Sequence, residues 1–292
     1  MVDDRALLRD IADLVAAEAT DDDCAVLLLN GSFLVATTDM LHQSTDFPPG
    51  MTDFQAGWMA AAASLSDIAA MGARPWGLLI AVGLDLPHRL RPVLEGAVAC
   101  GKSVECPIIG GDIDSHQELT IVTTGIGSVE KEYLVRRRGS QPGDLICVTS
   151  ILGRAQAALE GYIQYRRFLF EPRPRVREGQ QIGRAGATSM MDLSDGLALS
   201  LHDLLRVNNA GYTIESRRLP IISDIPEHKA QELALYGGGD YELLFTIPPD
   251  RVTELTIDHY IIGTVIQDHT VLLDGVPLEA RGYRHTWQVT ND

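Results

Sequence analysis

The stretch Leu65-Ser66-Asp67-Ile68-Ala69-Ala70-Met71-Gly72-Ala73-Arg74-Pro75 predicts the end of an Ala-rich helix that begins near Asp53 and runs through Met71. Asp53 can cap the first turn, Gly72 suits the left-handed position after the last turn, and the final proline cannot continue the helix. Asp67 therefore meets the negative end of the helix dipole, at a cost of about 0.3–1 kcal/mol. Either its carboxylate is simply exposed, or a bound cation compensates it. Its small and apolar neighbours at helical spacing favour a covered face.

The composition limits the classes of protein that this chain can represent. A chain of 292 residues, 45% of them apolar, can bury the cores of two domains or of one large domain. The formal charge of −16, from 40 acidic and 24 basic residues, argues against nucleic acid as a partner. An excess of acid mostly serves solubility, but it can also gather carboxylates that hold divalent cations.

Targeting signals and the cysteine pattern bear on the cellular location of the protein. No window approaches ~18 continuous apolar residues, and we find no secretory signal, so we expect neither export nor a membrane partner. The four cysteines form no C-x-x-C pair, and no pair of histidines stands near them at zinc spacing. We therefore expect a cytoplasmic protein with reduced thiols.

Strand and helix patterns alternate in the first half of the chain. An amphipathic helix is predicted over 4–19. A hairpin that turns at Asn30-Gly31 is predicted to bring Asp23 and Asp39 to the same end, with Asp39 closing the second strand. Residues 40–52 are predicted to form a loop that can close over a ligand. Further strands are predicted over 76–84, 107–109 and 120–129, and a helix over 92–100.

The second half repeats this alternation after a break in the pattern at 138–144. Strands are predicted over 145–149, 188–191 and 241–247, and a helix over 155–162. The whole pattern predicts an α/β (α+β) fold with mixed or parallel sheets and helices packed on one face. We place a domain boundary at the break, which gives an N-terminal domain over 1–138 and a C-terminal α/β domain over 139–292.

One segment matches a phosphate-binding signature in the wrong structural context. Residues Gly96 to Ser103 fit G-x-x-x-x-G-K-[ST], whose chemistry needs a strand before the glycines and a helix after them. Here a helix starting at Pro92 comes first, and Gly101 stands where a helix-ending glycine is expected. A phosphate would meet the negative end of that helix, so we do not expect Lys102 to bind one.

A second pattern consists of aspartates at the ends of predicted elements. These are Asp23, Asp39, Asp67, Asp112, Asp192 and Asp195. Each alone is typical of a turn or cap, and Ser194 or Asp195 is an ordinary candidate for a helix N-cap. Together with the hydroxyls of Thr37 and Thr38 they are hard oxygen ligands, which suit Mg²⁺ and not zinc. The pattern favours an enzyme that uses a magnesium nucleotide.

Four further residues bear on phosphate binding or acid catalysis. The two glycines before Asp112 would let backbone N–H groups approach a phosphate closely. Arg137 is either a phosphate contact or part of a solvated basic triplet. His42, in the loop after Asp39, is either a general acid, a phosphate contact or an ordinary loop residue.

Seven motifs occur in the order found in one enzyme family. They are Asp22-Asp23-Cys24-Ala25, Thr37-Thr38-Asp39, Ser66-Asp67-Ile68-Ala69-Ala70-Met71-Gly72-Ala73, Gly110-Gly111-Asp112, Arg137 with Pro142-Gly143-Asp144, Asp192-Leu193-Ser194-Asp195-Gly196-Leu197 and Gly239-Asp240-Tyr241-Glu242-Leu243. On these residues the chain resembles the thiamine-monophosphate kinase family, within the superfamily of aminoimidazole ribonucleotide synthetase-like ATP-binding proteins. The resemblance spans essentially the whole chain.

This resemblance implies a fold and a set of site residues. The N-terminal domain is expected to bind ATP and magnesium and to pair its sheet with that of a second subunit in a homodimeric barrel, with ATP in the cleft between the two domains. The implied ligands of several Mg²⁺ ions are Asp23, Thr37, Thr38, Asp39, Asp67, Asp112, Asp192 and Asp195. The implied ATP contacts are Gly111, Asp112, Arg137 and Ser194. The implied substrate contacts are Asp46, Gly239 and Trp287.

Two positions depart from the family pattern. Asp46 replaces a histidine and Gly239 replaces a glutamate of the bacterial members, so the contacts to the acceptor are expected to differ here. His42 is a conceivable substitute for the missing imidazole.

The implied reaction is direct in-line transfer of the γ-phosphoryl group of ATP to thiamine monophosphate, the last step of thiamine diphosphate biosynthesis. It needs no general base, because the acceptor oxygen is already anionic. Two alternatives remain open: another ATP-dependent enzyme of the superfamily that activates a phosphate or an amide, and a nucleotide-binding dimer without catalysis.

Overall fold

A computed structural model of the chain describes residues 2, 3, 5, 7, 11, 14, 15 and 17–287. The helices in this part are α1 Asp53–Ala70, α2 Leu90–Ser103, α3 Arg154–Leu159, α4 Arg166–Phe170, α5 Val176–Arg184, α6 Leu197–Val207 and α7 Glu227–Tyr236. The strands are β1 Val2–Asp3, β2 Ala25–Leu29, β3 Ser32–His42, β4 Arg74–Leu84, β5 Ile108–Ser115, β6 Thr120–Glu130, β7 Leu145–Val148, β8 Ser189–Leu193, β9 Gly211–Ile214, β10 Glu242–Ile247, β11 Tyr260–Ile266, β12 Val271–Leu273, β13 Val276–Pro277 and β14 Thr286–Trp287. The helix predicted over 4–19 lies largely outside the described residues.

The first sheet contains five strands in the order β2-β3-β6-β4-β5. All pairs are antiparallel except β4 and β5. The predicted hairpin is confirmed: Asn30 and Gly31 both have positive φ, as a tight two-residue turn requires, and Leu29 pairs with Ser32. Helix α1 covers one face of this sheet, and its alanines pack against the buried residues of β4 and β6.

The second sheet contains seven strands in the order β13-β12-β9-β11-β7-β10-β8. It is mixed, since β12 runs parallel to β9 while the other pairs are antiparallel. The predicted α/β class with mixed sheets is therefore confirmed. The predicted domain boundary at 138/139 lies in the segment between the two sheets and stays a prediction. β1 pairs with β14, so the two ends of the described chain meet.

The ends of α1 differ in one respect from the prediction. The N-cap is Thr52 and not Asp53: the Thr52 hydroxyl accepts from the backbone N–H of Gln55, and the Gln55 side chain accepts from the backbone N–H of Thr52. This reciprocal capping box satisfies two free helix donors, which one Asp53 carboxylate in the first turn does not do. Asp53 instead pairs with Arg89 at 2.7 Å. Gly72 takes the predicted left-handed conformation, with φ of 67°.

Two aspartates expected at strand ends lie inside strands. β3 continues past Asp39 to His42 because β6 pairs with it as far as Thr120. β5 continues past Asp112 to Ser115 because it stays hydrogen-bonded to β4. A partner strand thus extended both elements beyond the point where their own residues predicted an end.

The segment that matches the phosphate-binding signature is helical throughout. Gly96, Gly101 and Lys102 all lie in α2, and Gly101 is not its end: the helix stops at Ser103, and the left-handed residue that follows is Glu105. A Cβ at Gly96 would come within 1.8 Å of the Phe54 carbonyl oxygen of α1. That glycine is therefore explained by close helix packing, and the phosphate-loop interpretation stays rejected.

Other expectations can be compared directly with the described residues. All four cysteines are buried as free thiols. Among the described helices, none combines the length and the apolar character needed to cross a bilayer. The face of the first sheet opposite α1 leaves apolar side chains exposed, among them Leu27, Leu29, Met40 and Leu79.

The packing of α1 on α2 predicts a stability difference between two substitutions in α2. Gly96→Ala should destabilise the protein by roughly 1–3 kcal/mol, because its methyl group overlaps the α1 backbone. The exposed Lys102→Ala should change the free energy of unfolding by less than about 0.5 kcal/mol. Urea unfolding of both variants measures this difference, and equal stabilities would contradict the packing argument.

Candidate active site

Three aspartates from distant parts of the chain converge at the C-terminal half of α1. One carboxylate oxygen from each of Asp23, Asp67 and Asp192 lies within 4.8 Å of the other two. Asp23 precedes β2, Asp67 lies in α1 and Asp192 lies in β8, so the cluster joins the two sheets. Asp67 is half-buried rather than on an exposed face, which excludes the simple solvent-exposed alternative.

Hydroxyl groups hold these carboxylates in place. Thr37 donates to Asp67 at 2.5 Å, and Ser66 donates to Asp192 at 2.7 Å. Ser64, one helical turn from Asp67, donates to Asp39 at 2.6 Å. The two serines were not predicted as site residues, although their positions in α1 beside Asp67 could have indicated it.

Burial and mutual repulsion make this cluster electrostatically costly. Burial, reinforced by the charge of Asp23, raises the pKa of Asp192 to about 8. Burial also raises the pKa of Asp67 well above its usual range, with Asp39 and Asp192 adding to the shift. A set of buried, hydroxyl-supported carboxylates with hard oxygen donors suits a divalent cation such as Mg²⁺, which would remove the repulsion. The residues present therefore fit the metal that the family implies.

An arginine partly neutralises the cluster. Arg137 forms a two-pronged ion pair with Asp23, at 2.5 and 3.2 Å. Burial alone would lower the pKa of Arg137, but the adjacent Asp23 carboxylate raises it overall. The neighbouring Arg136 and Arg138 pair with Asp22 and Asp21. Arg137 is therefore not part of a solvated face, whereas Arg138 is paired and still largely exposed.

Two of the predicted metal ligands lie on the face of the first sheet that points away from the cluster. Side chains alternate across a strand, and Thr38 points to the face opposite Asp39, where its hydroxyl contacts Thr124 at 3.0 Å. Asp112 is exposed on the edge strand β5 and pairs with Ala81. Asp39 instead lies in line with Ile80 and Gly111 across the sheet, so Asp112 is one position further along and faces the other side. One chain alone therefore does not bring either side chain to the three carboxylates.

Gly111 lies beside Asp112 in β5, in a groove of about 570 Å³ between this edge strand and α2. A Cβ there would come within 1.8 Å of the Ile80 carbonyl oxygen. Close strand packing thus explains why this position is a glycine, and its contact with ATP stays a prediction.

A cleft of about 520 Å³ lies next to the cluster: it is lined by Asp39, which Ser64 of α1 holds, and by Ser194 and Asp195, which follow Asp192 in the chain. Asp39 and the loop 44–49 form one wall, and the segments 194–195 and 238–241 form the other. Asp195, which pairs with Arg5 at 2.9 Å, and Ser194 both line the cleft. Neither caps α6, whose N-cap is Gly196. The structure thus brings both predicted residues to the same cleft as Asp39.

The predicted substrate residues are placed in different ways. Asp46 and Gly239 both line the cleft. The side chain of Trp287 lies outside the described residues, whereas Tyr283, which was not predicted, lines the cleft and packs its ring edge-on against His285 at 5.1 Å. His42 contacts Thr120 at 3.0 Å and is not among the residues of the cleft wall, so it does not substitute for the missing imidazole in this geometry.

Comparison with known proteins places this site in a family. A family model described as AIR synthase related protein, N-terminal domain, matches residues 21–129. The thiamine-monophosphate kinase of Methanospirillum hungatei is 47% identical over 98% of this chain and 100% of its own length. The chain belongs to the thiamine-monophosphate kinase family. The enzyme of Halobacterium salinarum from this family is 38% identical over 95% of this chain and 96% of its own length.

A solved structure of this thiamine-monophosphate kinase family supports the fold. The structure of AaThiL complexed with AMPPCP and TMP superposes with a TM-score of 0.90, at 28% identity, and the match covers 97% of each chain. The family model covers the part of this chain that supplies Asp23, Asp39 and Asp67, and the full-length relatives extend the match to Asp192.

The raised pKa values predict how stability depends on pH and metal. Between the ordinary Asp value of 3.8 and about 8, the folded protein retains a proton on Asp192 that the unfolded chain has lost. In chelator, the melting temperature should therefore fall as pH rises from about 5 to about 8. The stabilisation by Mg²⁺ should grow over the same interval, because the metal binds the deprotonated carboxylates.

Asp192→Asn is the matched variant, since it removes the titrating carboxyl and keeps its shape. Its melting temperature in chelator should depend less steeply on pH, and Mg²⁺ should stabilise it less. Thermal melting with and without Mg²⁺ at the two pH values tests both statements. Identical pH profiles for this variant and the wild type would contradict the assignment.

Proposed function

We propose that this chain transfers the γ-phosphoryl group of ATP directly to the phosphate of thiamine monophosphate, which yields ADP and thiamine diphosphate. The observation that carries the proposal is the convergence of Asp23, Asp67 and Asp192 beside a cleft that also contains Asp46 and Gly239. The thiamine-monophosphate kinases of Methanospirillum hungatei and Halobacterium salinarum, which align with nearly the whole chain, support the proposal. The AaThiL structure with AMPPCP and TMP supports it as well.

The cleft wall combines carboxylates with aromatic rings. Asp39, Asp46 and Asp195 supply the carboxylates, and no lysine or arginine is among the described residues of the wall. Tyr283 and His285 supply aromatic faces, and the backbone N–H of Tyr283 donates to the Asp195 carbonyl at 3.0 Å. Such a cleft suits a molecule that carries both a phosphate, held through cations, and a positively charged aromatic ring. Thiamine monophosphate carries both groups.

The proposed metal set is the one that the family resemblance implies. Asp23, Asp39, Asp67, Asp192 and Asp195, with the Thr37 hydroxyl, would hold several Mg²⁺ ions near the phosphates. Bound Mg²⁺ would screen the repulsion between the two anionic substrates and stabilise charge on the transferred group. Thr38 and Asp112 stay proposed members of this set, although their side chains lie on another face of the sheet in one chain.

The chain's own residues have a positioning role in this mechanism. No general base is needed, because the acceptor oxygen already carries negative charge. Ser194, Gly111 and Asp112 are the proposed contacts to ATP. We add that Arg137, paired with Asp23 here, can turn to the triphosphate when a cation replaces it on that carboxylate. Its backbone N–H, held by Asp22 at 2.9 Å, would stay in place.

A homodimer belongs to the same proposal. The exposed apolar residues Leu27, Leu29, Met40 and Leu79 on the open face of the first sheet support the expected sheet-to-sheet contact between subunits. The cytoplasmic location expected from the cysteines stays a prediction. The alternatives, another ATP-dependent enzyme of the superfamily or a dimer without catalysis, are not favoured by the relatives, which are named for the thiamine reaction.

The central test is ADP release that depends on thiamine monophosphate. Asp67→Asn should lower kcat at least about 100-fold, since it removes a carboxylate from the proposed metal set. It should still fold, because the amide is isosteric and relieves a buried repulsion. A coupled assay of ADP release, with product identified by chromatography, measures the effect.

Lys102→Ala is the control, because this residue lies at the exposed end of α2 and away from the cleft. Its kcat should equal that of the wild type. Near-normal turnover of Asp67→Asn would rule out the metal assignment. If added thiamine monophosphate does not increase ADP release by the wild type, the proposed reaction is ruled out.

A second test addresses recognition of the acceptor ring. Tyr283→Leu and Asp46→Asn should each raise KM for thiamine monophosphate about 3- to 30-fold, because each removes a group that can attract a cationic ring. KM for ATP should be unchanged. An analogue with a neutral thiophene in place of the thiazolium ring should bind more weakly than thiamine monophosphate to the wild type, and both variants should lose this discrimination. Unchanged discrimination would contradict the role of the two residues.

A further inference from the structure

Tyr241 is held in an unusual conformation beside the carboxylate cluster. Its φ of 51° is left-handed, a region that residues with a bulky side chain rarely adopt. Gly239, two residues earlier, is also left-handed, and the backbone N–H of Tyr241 donates to the Leu193 carbonyl of β8 at 3.0 Å. The side chain packs partly buried against the core that includes α1. Strained positions of this kind concentrate at functional sites, where the surrounding fold imposes them.

The hydroxyl of this residue has no hydrogen-bonding partner among the described protein groups, although the side chain lines the cleft together with Asp39, Ser194 and Asp195. The hydroxyl is not among the buried unpaired side-chain atoms of the described residues, so it is open to the cleft, and a ligand bound there can accept its hydrogen bond. A phenol keeps its proton at neutral pH, because its ordinary pKa is about 10, and it can therefore act as a hydrogen-bond donor.

The proposed phosphoryl transfer requires hydrogen-bond donors in the cleft wall. A phosphoryl group in transfer spreads negative charge over three equatorial oxygens, and donors placed around those oxygens stabilise it. No lysine or arginine is among the described residues of the wall. Tyr241 shares this wall with Asp39, Ser194 and Asp195, which the proposed function assigns to magnesium and ATP.

We infer that the Tyr241 hydroxyl is a catalytic residue, which donates a hydrogen bond to the phosphoryl group while it passes from ATP to the acceptor. This inference rests on the proposed function and extends it by one residue. No proton is transferred: the γ-phosphorus–oxygen bond to ADP breaks, the bond to the acceptor phosphate oxygen forms, and the phenol keeps its hydrogen throughout. The contact strengthens as charge develops and contributes little to the binding of either substrate.

Tyr241→Phe tests the inference because it removes the hydroxyl and keeps the ring and its packing. We expect kcat to fall about 10- to 100-fold, as is typical for loss of one donor to a developing charge. KM for ATP and for thiamine monophosphate should stay within about twofold, since the contact is specific to the transition state. Tyr260→Phe is the matched control: Tyr260 is also partly exposed, lies in β11 and is not part of this cleft.

A binding measurement separates catalysis from a structural role. ADP with fluoroaluminate and thiamine monophosphate mimics the group in transfer, whereas AMPPCP mimics only bound ATP. For Tyr241→Phe, calorimetry should show weaker binding of the fluoroaluminate mixture by the same factor as the loss in kcat, with AMPPCP binding unchanged. Tyr260→Phe should match the wild type in both.

The other possible results of these two experiments would each overturn the inference, and they differ in what they leave standing. Equal weakening of both ligands, or a fall in melting temperature, would give the hydroxyl a binding or structural role and overturn the inference. Unchanged kcat in Tyr241→Phe, with a wild type that phosphorylates thiamine monophosphate, would overturn it while leaving the proposed function intact. A wild type without activity toward thiamine monophosphate would instead remove the proposed function, and this inference with it.

Discussion

The structure depends on holding mutually repelling carboxylates together in a partly buried place. Asp23, Asp67 and Asp192 meet within 4.8 Å although they come from a loop, a helix and a strand. Left alone, such a group favours protonation or separation, because charge is poorly solvated there. Hydroxyl donors and one guanidinium reduce the repulsion without removing it. The fold therefore carries an electrostatic cost that a bound divalent cation would relieve.

Close backbone packing makes this arrangement possible. α1 is lined with alanines, and a Cβ at Gly179 of α5 would come within 2.1 Å of the Ala69 carbonyl oxygen. The helix that carries Asp67 is thereby pressed against both the first sheet and α5 of the second half. The hydrogen bond from Ser66 to Asp192 joins the same two parts of the chain. Packing without bulky side chains thus positions the site accurately, as a phosphoryl-transfer enzyme requires.

The cleft explains how a markedly acidic chain can accept two anionic substrates. Its described wall contributes aspartates and no lysine or arginine, so in the proposed function the phosphates would be attracted by cations that these aspartates hold. Arg137 is close by but is committed to Asp23 in this state. Metal loading and nucleotide binding would then depend on each other, since the cation and the guanidinium compete for one carboxylate.

Local rules were enough for much of this protein. The amino-acid sequence alone determined the α/β class, the hairpin at Asn30-Gly31, the left-handed Gly72 and the motifs of the family, because turn chemistry and short-range patterns depend on nearby residues. It also identified Asp67 as a carboxylate in need of a partner. The sequence did not determine where Thr38 and Asp112 point, because a strand's register and the extent of its ladder depend on the neighbouring strands. Only the tertiary structure decided that Ser64, Ser66, Tyr241 and Tyr283 surround the site, since their contacts join segments far apart along the chain.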